Sequence, residues 1–222
     1  MEQLFSLAEH FISINGEGQR AGELALFLRF TGCDLRCVWC DTLWAVPKDA
    51  PHKDKDLRSL LDIARDAVSH GVRNVTLTGG EPLMQKGIVR LFEALLDMGL
   101  RVEIETNGSV ALAPFIRDKR PDFNMDYKLP DSGMESRMII DNISLLQAND
   151  TLKFVCASHR DLLRAYEVIQ QTKPKCKVYF SPVFGKIEPA DMVEFIKEKG
   201  LGEVRLQLQL HKFIWDPQKR GV

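Results

Sequence analysis

The sequence predicts an α/β fold, a parallel sheet covered by helices, and three observations carry that expectation. Short apolar, β-branched runs alternate with longer segments of helical spacing along most of the chain. That alternation suits strand–helix–strand units, whose strands lie parallel because each helix returns the chain across the sheet. The polar motifs follow the strands directly, where α/β folds of this kind gather their functional loops.

Taken in order, Leu24 to Phe30 reads as the first strand, and a cysteine-rich segment follows it. Leu57, Leu60, Leu61, Ala64 and Val68 recur at helical spacing, and Gly71 closes that helix. Val75 to Thr78 is the next strand, ending in the turn Thr78-Gly79-Gly80-Glu81-Pro82. Ile88, Leu91, Phe92 and Leu95 form an amphipathic helix that stops near Gly99. Val102 to Thr106 is a third strand, running into Asn107-Gly108. Phe123 to Tyr127, Leu152 to Cys156, Val178 to Phe180 and Glu203 to Leu208 complete the strands. Helical spacing returns at Leu162, Tyr166 and Ile169, and again at Met192, Phe195 and Ile196. The polar stretches Pro47 to Asp56 and Pro130 to Ser136 read as loops. Six or seven strands fall short of the eight in a closed barrel, so an open doubly wound sheet and an incomplete barrel both fit. With no internal repeat, linker or low-complexity tail, residues 1–222 are expected to form a single domain.

Composition narrows the function classes. The 222 residues are 45% hydrophobic and 27% charged, enough apolar material for a sizeable core. Thirty Lys and Arg against thirty-one Asp and Glu leave a net charge of −1, which argues against a nucleic-acid coat or a polybasic membrane binder. The longest near-continuous apolar run, Leu24 to Leu28, is far too short to cross a bilayer. The start, Met1-Glu2-Gln3-Leu4, lacks a basic region followed by an apolar core, so a cytoplasmic protein is expected. The five cysteines are an odd number, which fits poorly with a disulfide framework. Cys156 and Cys176 lie singly in apolar stretches and read as inert core thiols.

The other three, in Cys33-Asp-Leu-Arg-Cys37-Val-Trp-Cys40, share one short loop. Thiolates bind soft metals, and three on one loop can serve a single ion or one corner of a cluster. A structural zinc site with His52 as fourth ligand is one reading. Structural zinc sites, however, pair two C-x₂-C knuckles, and no second knuckle exists here. Three thiolates on a four-iron cluster would instead leave one iron open to a substrate or cofactor.

C-x₃-C-x₂-C after the first strand, followed by Gly79-Gly80-Glu81-Pro82 after the second, resembles the radical S-adenosylmethionine superfamily. Trp39-Cys40-Asp41 is similar to the aromatic-Cys-Asp pattern usual beside the third cysteine. Further segments resemble one family within it, the 7-carboxy-7-deazaguanine synthases. They are Ser13-Ile14-Asn15-Gly16-Glu17-Gly18, Leu28-Arg29-Phe30, Cys40-Asp41-Thr42, Glu105-Thr106-Asn107-Gly108 and Gln209-Leu210-His211-Lys212. The resemblance implies a partial (β/α)₆ TIM-type barrel with a [4Fe-4S] cluster on Cys33, Cys37 and Cys40. It implies conversion of 6-carboxy-5,6,7,8-tetrahydropterin to 7-carboxy-7-deazaguanine and ammonia, on the route to queuosine and other 7-deazapurines, with S-adenosylmethionine and Mg²⁺ as cofactors. A homodimer and an electron donor such as flavodoxin or ferredoxin are implied as partners.

The same resemblance distributes roles over the chain. Thr42 matches the magnesium ligand. Trp39, Cys40, Asp41, Gly80, Glu81, Glu105, Asn107, Asp126, Tyr127, Lys128, Ser181, Pro182, Val183 and Phe184 match positions around S-adenosylmethionine. Ile14, Asn15, Gly16, Glu17, Arg29, Thr78, His211 and Val222 match positions around the substrate. Each also has a plainer reading. Arg29, a charge within an apolar strand, needs a partner, either a substrate carboxylate or an ion pair with Glu17 or Glu105. Glu81 before Pro82 also reads as a helix-start carboxylate and Phe184 as core packing at a strand end, whereas at Gly80 the missing side chain is what lets backbone approach a ligand closely. An activase acting on a partner protein would share the cluster and the Gly-Gly-Glu turn, but Asn15-Gly16-Glu17-Gly18 and Arg29 favour a small carboxylated substrate.

Overall fold

A computed structural model describes residues 3–222. Among the described residues nine strands form one sheet: β1 (Leu4–Ile14), β2 (Leu24–Phe30), β3 (Lys53–Asp56), β4 (Asn74–Gly79), β5 (Arg101–Thr106), β6 (Asp122–Asp126), β7 (Thr151–Cys156), β8 (Lys177–Pro182) and β9 (Val204–Leu206). Their spatial order is β3-β1-β2-β4-β5-β6-β7-β8-β9, parallel from β2 to β9 and antiparallel where β1 meets β2 and β3. Six helical segments follow strands: α1 (Leu57–Ser69), α2 (Ile88–Asp97), α3 (Asn142–Leu145), α4 (His159–Thr172), α5 (Pro189–Glu198) and α6 (His211–Ile214).

The strand order decides between the two architectures that periodicity allowed. A doubly wound sheet reverses its order at a switch point. Here every parallel strand is added on the same side of the one before it. Right-handed crossovers then put the helices on one face and leave the other face to curl into a lumen. The fold is an incomplete barrel, with seven parallel strands extended at one edge by the antiparallel pair β1 and β3.

Alternation along each strand separates the two faces. Leu26, Leu28 and Phe30 of β2, Val75 and Leu77 of β4, Val102 and Ile104 of β5, and Phe123 and Met125 of β6 are buried in the main hydrophobic core. The residues alternating with them are Phe27, Arg29, Thr76, Thr78, Glu103, Glu105, Asn124 and Asp126, all polar or charged except the phenylalanine. A closed barrel fills its interior with branched apolar side chains. This lumen is mainly polar instead, which suits a binding cavity.

Both polar loops expected from composition contain structure. Pro47 to Asp56 ends in β3, whose Lys-Asp-Lys-Asp sequence is consistent with an edge strand, where charge discourages further pairing. Asp56 also caps α1, accepting a hydrogen bond from the Ser59 amide at 2.7 Å. Pro130 to Ser136 holds two short 3₁₀ turns, Pro130–Ser132 and Glu135–Arg137. Cys156 and Cys176 are buried free thiols, as expected. Among the described residues no helix is long and apolar enough to cross a membrane.

Candidate active site

The carboxyl ends of the strands surround a cavity of about 290 Å³. The loop after β2 brings Cys33, Cys37 and Cys40 onto its wall, each a half-buried free thiol. Gly32 and Cys33 donate backbone hydrogen bonds to Ala45 and Val46, both at 2.9 Å, so the loop is closed on its own return. Cys33 Sγ accepts weak hydrogen bonds from the Leu35 amide and Asn107 Nδ2, both at 3.4 Å. Burial pushes the Cys33 and Cys37 thiols up, and nearby Lys128 partly offsets this at Cys37.

Among the described residues no group of three His, Cys, Asp or Glu side chains is arranged to hold a single metal ion. His52 bonds the Ala50 carbonyl at 2.6 Å and faces Asp54 at 3.4 Å, and it is not on the cavity wall. The zinc reading therefore lacks its fourth ligand. Three soft thiols spread around one wall, with no fourth thiol there, fit a multi-iron cluster with one iron left open. Thr42 Oγ1, a neutral hydroxyl, lies 3.6 Å from Cys40 Sγ on the same wall.

The Gly-Gly-Glu turn does something the sequence did not suggest. A Cβ on Gly79 would sit 2.2 Å from the Phe30 carbonyl oxygen, and one on Gly80 would sit 2.1 Å from that of Gly32. Gly80 and Glu81 donate backbone bonds to Phe30 and Gly32 at 3.0 and 2.8 Å. The close approach made by these glycines is to the root of the cysteine loop, although Gly80 also lines the cavity. Glu81 is fully buried and off the cavity wall. Its carboxylate accepts from the amides of Leu83 (3.0 Å) and Asn107 (2.7 Å) and from Thr106 Oγ1 (2.9 Å). Burial raises its pKa to about 7. The Leu83 bond caps the 3₁₀ turn Pro82–Met84, the helix-start role that the sequence also allowed, and the bonds from Thr106 and Asn107 tie the ends of β4 and β5 together.

On the side expected for substrate, Ile14, Gly16, Glu17, Arg29, Thr78, His211 and Val222 all line the cavity. Asn15 does not; its Oδ1 accepts from Thr76 Oγ1 at 2.8 Å, and its Nδ2 is buried without a partner. Arg29 pairs with neither Glu17 nor Glu105 but with Glu9, through Nε at 2.9 Å. The two residues face each other across the β1–β2 ladder. A Cβ on Gly16 would collide with His211 Nδ1 at 2.3 Å, so the glycine makes room for the imidazole. Burial pushes the His211 pKa below its ordinary value, against the pull of Glu17 and Asp41.

On the side expected for cofactor, Trp39, Cys40, Asp41, Glu105, Asn107, Asp126, Lys128, Val183 and Phe184 line the cavity. Burial raises the Glu105 carboxyl, with Lys153 opposing. Tyr127, Ser181 and Pro182 do not line it. Tyr127 packs in the core against Phe154, and Ser181 donates to Glu17 Oε1 at 3.1 Å. Phe184 is exposed and meets Phe213 edge-on at the mouth, so it is not a core residue.

Sequence reasoning missed Glu9, Trp44, Asn124, Lys153 and residues 217–221, all on the wall. Lys153 and Asn124 carried a readable signal, a polar residue between apolar neighbours of a buried strand. The tail carried none, because its contact with the site, Arg220 stacked 3.4 Å from the Trp44 ring centroid, spans most of the chain.

Comparison with known proteins sets this geometry in context. Residues 27–126 match the radical SAM superfamily. A 7-carboxy-7-deazaguanine synthase from Clostridium acetobutylicum is 49% identical over 98% of this chain and 99% of its own length. One from Chlorobaculum tepidum is 37% identical over 100% of this chain and 99% of its own. Among solved structures, QueE from Escherichia coli superposes with a TM-score of 0.71 at 19% identity, covering 93% of this chain and 94% of that one. SuiB from Streptococcus suis gives 0.58 at 16% identity, covering 80% of this chain and 47% of that one. At those identities the two structures speak for the fold alone.

Proposed function

The chain belongs to the 7-carboxy-7-deazaguanine synthase family of radical S-adenosylmethionine enzymes, and we propose from this that it converts 6-carboxy-5,6,7,8-tetrahydropterin to 7-carboxy-7-deazaguanine with loss of ammonia. One observation carries the reading at the level of the site. The three-cysteine loop and the residues Ile14, Gly16 and Glu17, which the sequence places on opposite ends of β2, face one cavity together with Arg29 and His211.

Cys33, Cys37 and Cys40 would hold a [4Fe-4S] cluster, with Trp39, Asp41, Gly80, Glu105, Asn107, Asp126, Lys128, Val183 and Phe184 around S-adenosylmethionine. When bound, that pair supplies a 5′-deoxyadenosyl radical for hydrogen abstraction. The chain's own work is to hold and shield the substrate. Arg29 uses Nε on Glu9, which leaves its two terminal nitrogens to clamp a substrate carboxylate. Thr42 would share a magnesium ion with substrate oxygens. His211, kept neutral at pH 7 by burial, presents a ring nitrogen that accepts a hydrogen bond or proton. Phe11, Phe27, Trp39 and Trp44 make apolar wall that excludes water from a reactive carbon. The enzyme is taken to be one domain that works in the cytoplasm as a homodimer, reduced by a flavodoxin or ferredoxin.

The test is an anaerobic assay of reconstituted protein with dithionite, magnesium and S-adenosylmethionine, with and without 6-carboxytetrahydropterin. Mass spectrometry should find 7-carboxy-7-deazaguanine. Formation of 5′-deoxyadenosine without that product would keep the radical chemistry and remove the substrate assignment. Neither product, from protein with an intact cluster, would overturn the enzymatic reading.

A further inference from the structure

Lys153 stands in β7 on the lumen side, its side chain only 8% exposed. Its ammonium lies 2.8 Å from Glu17 Oε2 and 3.2 Å from Asp126 Oδ1. The remaining oxygens of both carboxylates are also engaged. Glu17 Oε1 accepts from Ser181 Oγ at 3.1 Å, and Asp126 Oδ2 accepts from Lys128 Nζ at 2.6 Å. Glu105 is a third carboxylate close enough to act on the Lys153 charge.

The reach of this network is what makes it informative. Glu17 belongs to the β1–β2 connection, whereas β6, β7 and β8 lie well across the sheet. The connection crosses the lumen to them, and beyond them Gly18 exchanges two hydrogen bonds with the Gln207 side chain, at 2.7 and 2.9 Å. An open barrel has no strand pairing to close it, so side chains fix this crossing. Among them Lys153 alone touches both Glu17, on the side read as substrate, and Asp126, on the side read as cofactor. A buried ammonium is costly to desolvate and is retained only with carboxylates around it. Removing it leaves three carboxylates on the cavity floor, with Lys128 the remaining ammonium of the network, and like charges then push the Glu17 segment away.

We propose that Lys153 is a positioning residue for the reaction: by binding Glu17 and Asp126 at once, it fixes the substrate-side loop relative to the cofactor-side strand end. The proposal rests on the functional reading above for what the two sides hold.

The test compares Lys153→Met, Lys153→Arg, Glu17→Gln and the Lys153→Met/Glu17→Gln double variant with wild type. Iron content and thermal unfolding serve as controls. Two readouts are taken: amide hydrogen exchange of residues 14–20 without ligands, and 7-carboxy-7-deazaguanine formed per 5′-deoxyadenosine released. Lys153→Met should speed exchange of the loop and lower the product ratio by roughly tenfold or more with the cluster intact, and Lys153→Arg should recover part of the ratio. The double variant should be no worse than the poorer single variant, since both break one network. Independent, multiplying effects, or a Lys153→Met ratio within about twofold of wild type, would overturn the proposal. If Lys153→Met does not retain its cluster, Glu17→Gln decides: unchanged loop exchange rejects the network and faster exchange supports it. The exchange measurement needs no substrate. A wild type that makes 5′-deoxyadenosine but no deazapurine therefore refutes the functional reading while the exchange data still judge the network.

Discussion

Arg29 shows how a single side chain can be half committed. Its Nε bond to Glu9 at 2.9 Å satisfies the strand position, while the guanidinium still borders the cavity. Arg29→Ala should raise the KM for the carboxylated substrate about tenfold or more, the scale of a lost charged hydrogen bond, and should change uncoupled 5′-deoxyadenosine formation far less. Equal loss of both would mark the Glu9 pair as purely structural. Glu103, lower on the same lumen face, behaves differently. Burial, with Glu105 adding to it, raises its pKa from the ordinary 4.5 to about 8, and its Oε1 has no hydrogen-bond partner. The folded state therefore holds a proton that the unfolded state gives up. The resulting stability is complete below pH 4.5 and is lost as pH rises to about 8. Glu103→Gln should flatten that decline, which urea unfolding of the apoprotein between pH 5 and 8.5 would reveal.

At the scale of elements, the Gly79-Gly80 turn and the cysteine loop are one unit. Any side chain on Gly80 meets backbone, the Gly32 oxygen at 2.1 Å and the Cys33 nitrogen at 2.9 Å, and no flexible atom is there to yield. Gly80→Ala should therefore destabilise the protein by about 1–3 kcal/mol and lower iron incorporation, as urea unfolding and iron analysis would show. A full cluster complement in that variant would mean that the two loops move independently. β1 shows why one strand escaped the sequence reading. Its register with β2 shifts between Leu7 and Glu9, and such a bulge breaks the two-residue alternation by which strands are recognised. β3 escaped because Lys53-Asp54-Lys55-Asp56 has no apolar face, and only pairing with Leu4–Leu7 makes it a strand.

For the whole molecule, the last residues complete the cavity. Leu210 bonds the Gly16 carbonyl at 3.1 Å, Lys212 faces Asp41 at 3.6 Å, and Arg220 lies over Trp44. These contacts carry the carboxyl-terminal segment across the mouth of an open barrel, where no strand could close it. A cation–π contact of this exposed kind contributes about 0.5–1 kcal/mol. Arg220→Ala should accordingly raise the substrate KM by about two- to fivefold, with unchanged iron content and a red-shifted Trp emission. An unaltered KM and spectrum would show that the segment stays in place without this stack.

The sequence by itself determined what depends on neighbours along the chain. The positions of β2 and β4 to β9, the helices α1, α2, α4 and α5, the three-cysteine loop and the Gly-Gly-Glu turn are legible because periodicity and motif spacing are local. Most of the residues expected around the ligands also line the cavity, since they follow strands whose carboxyl ends must meet. Tertiary structure alone decided the direction of winding, the strand status of β1 and β3, the partner of Arg29, the burial of Glu81 and the placement of Lys153. Each depends on groups far apart in sequence. A buried charge declares only that it has a partner, and which partner it has is settled when the sheet curls and brings distant strands to one lumen.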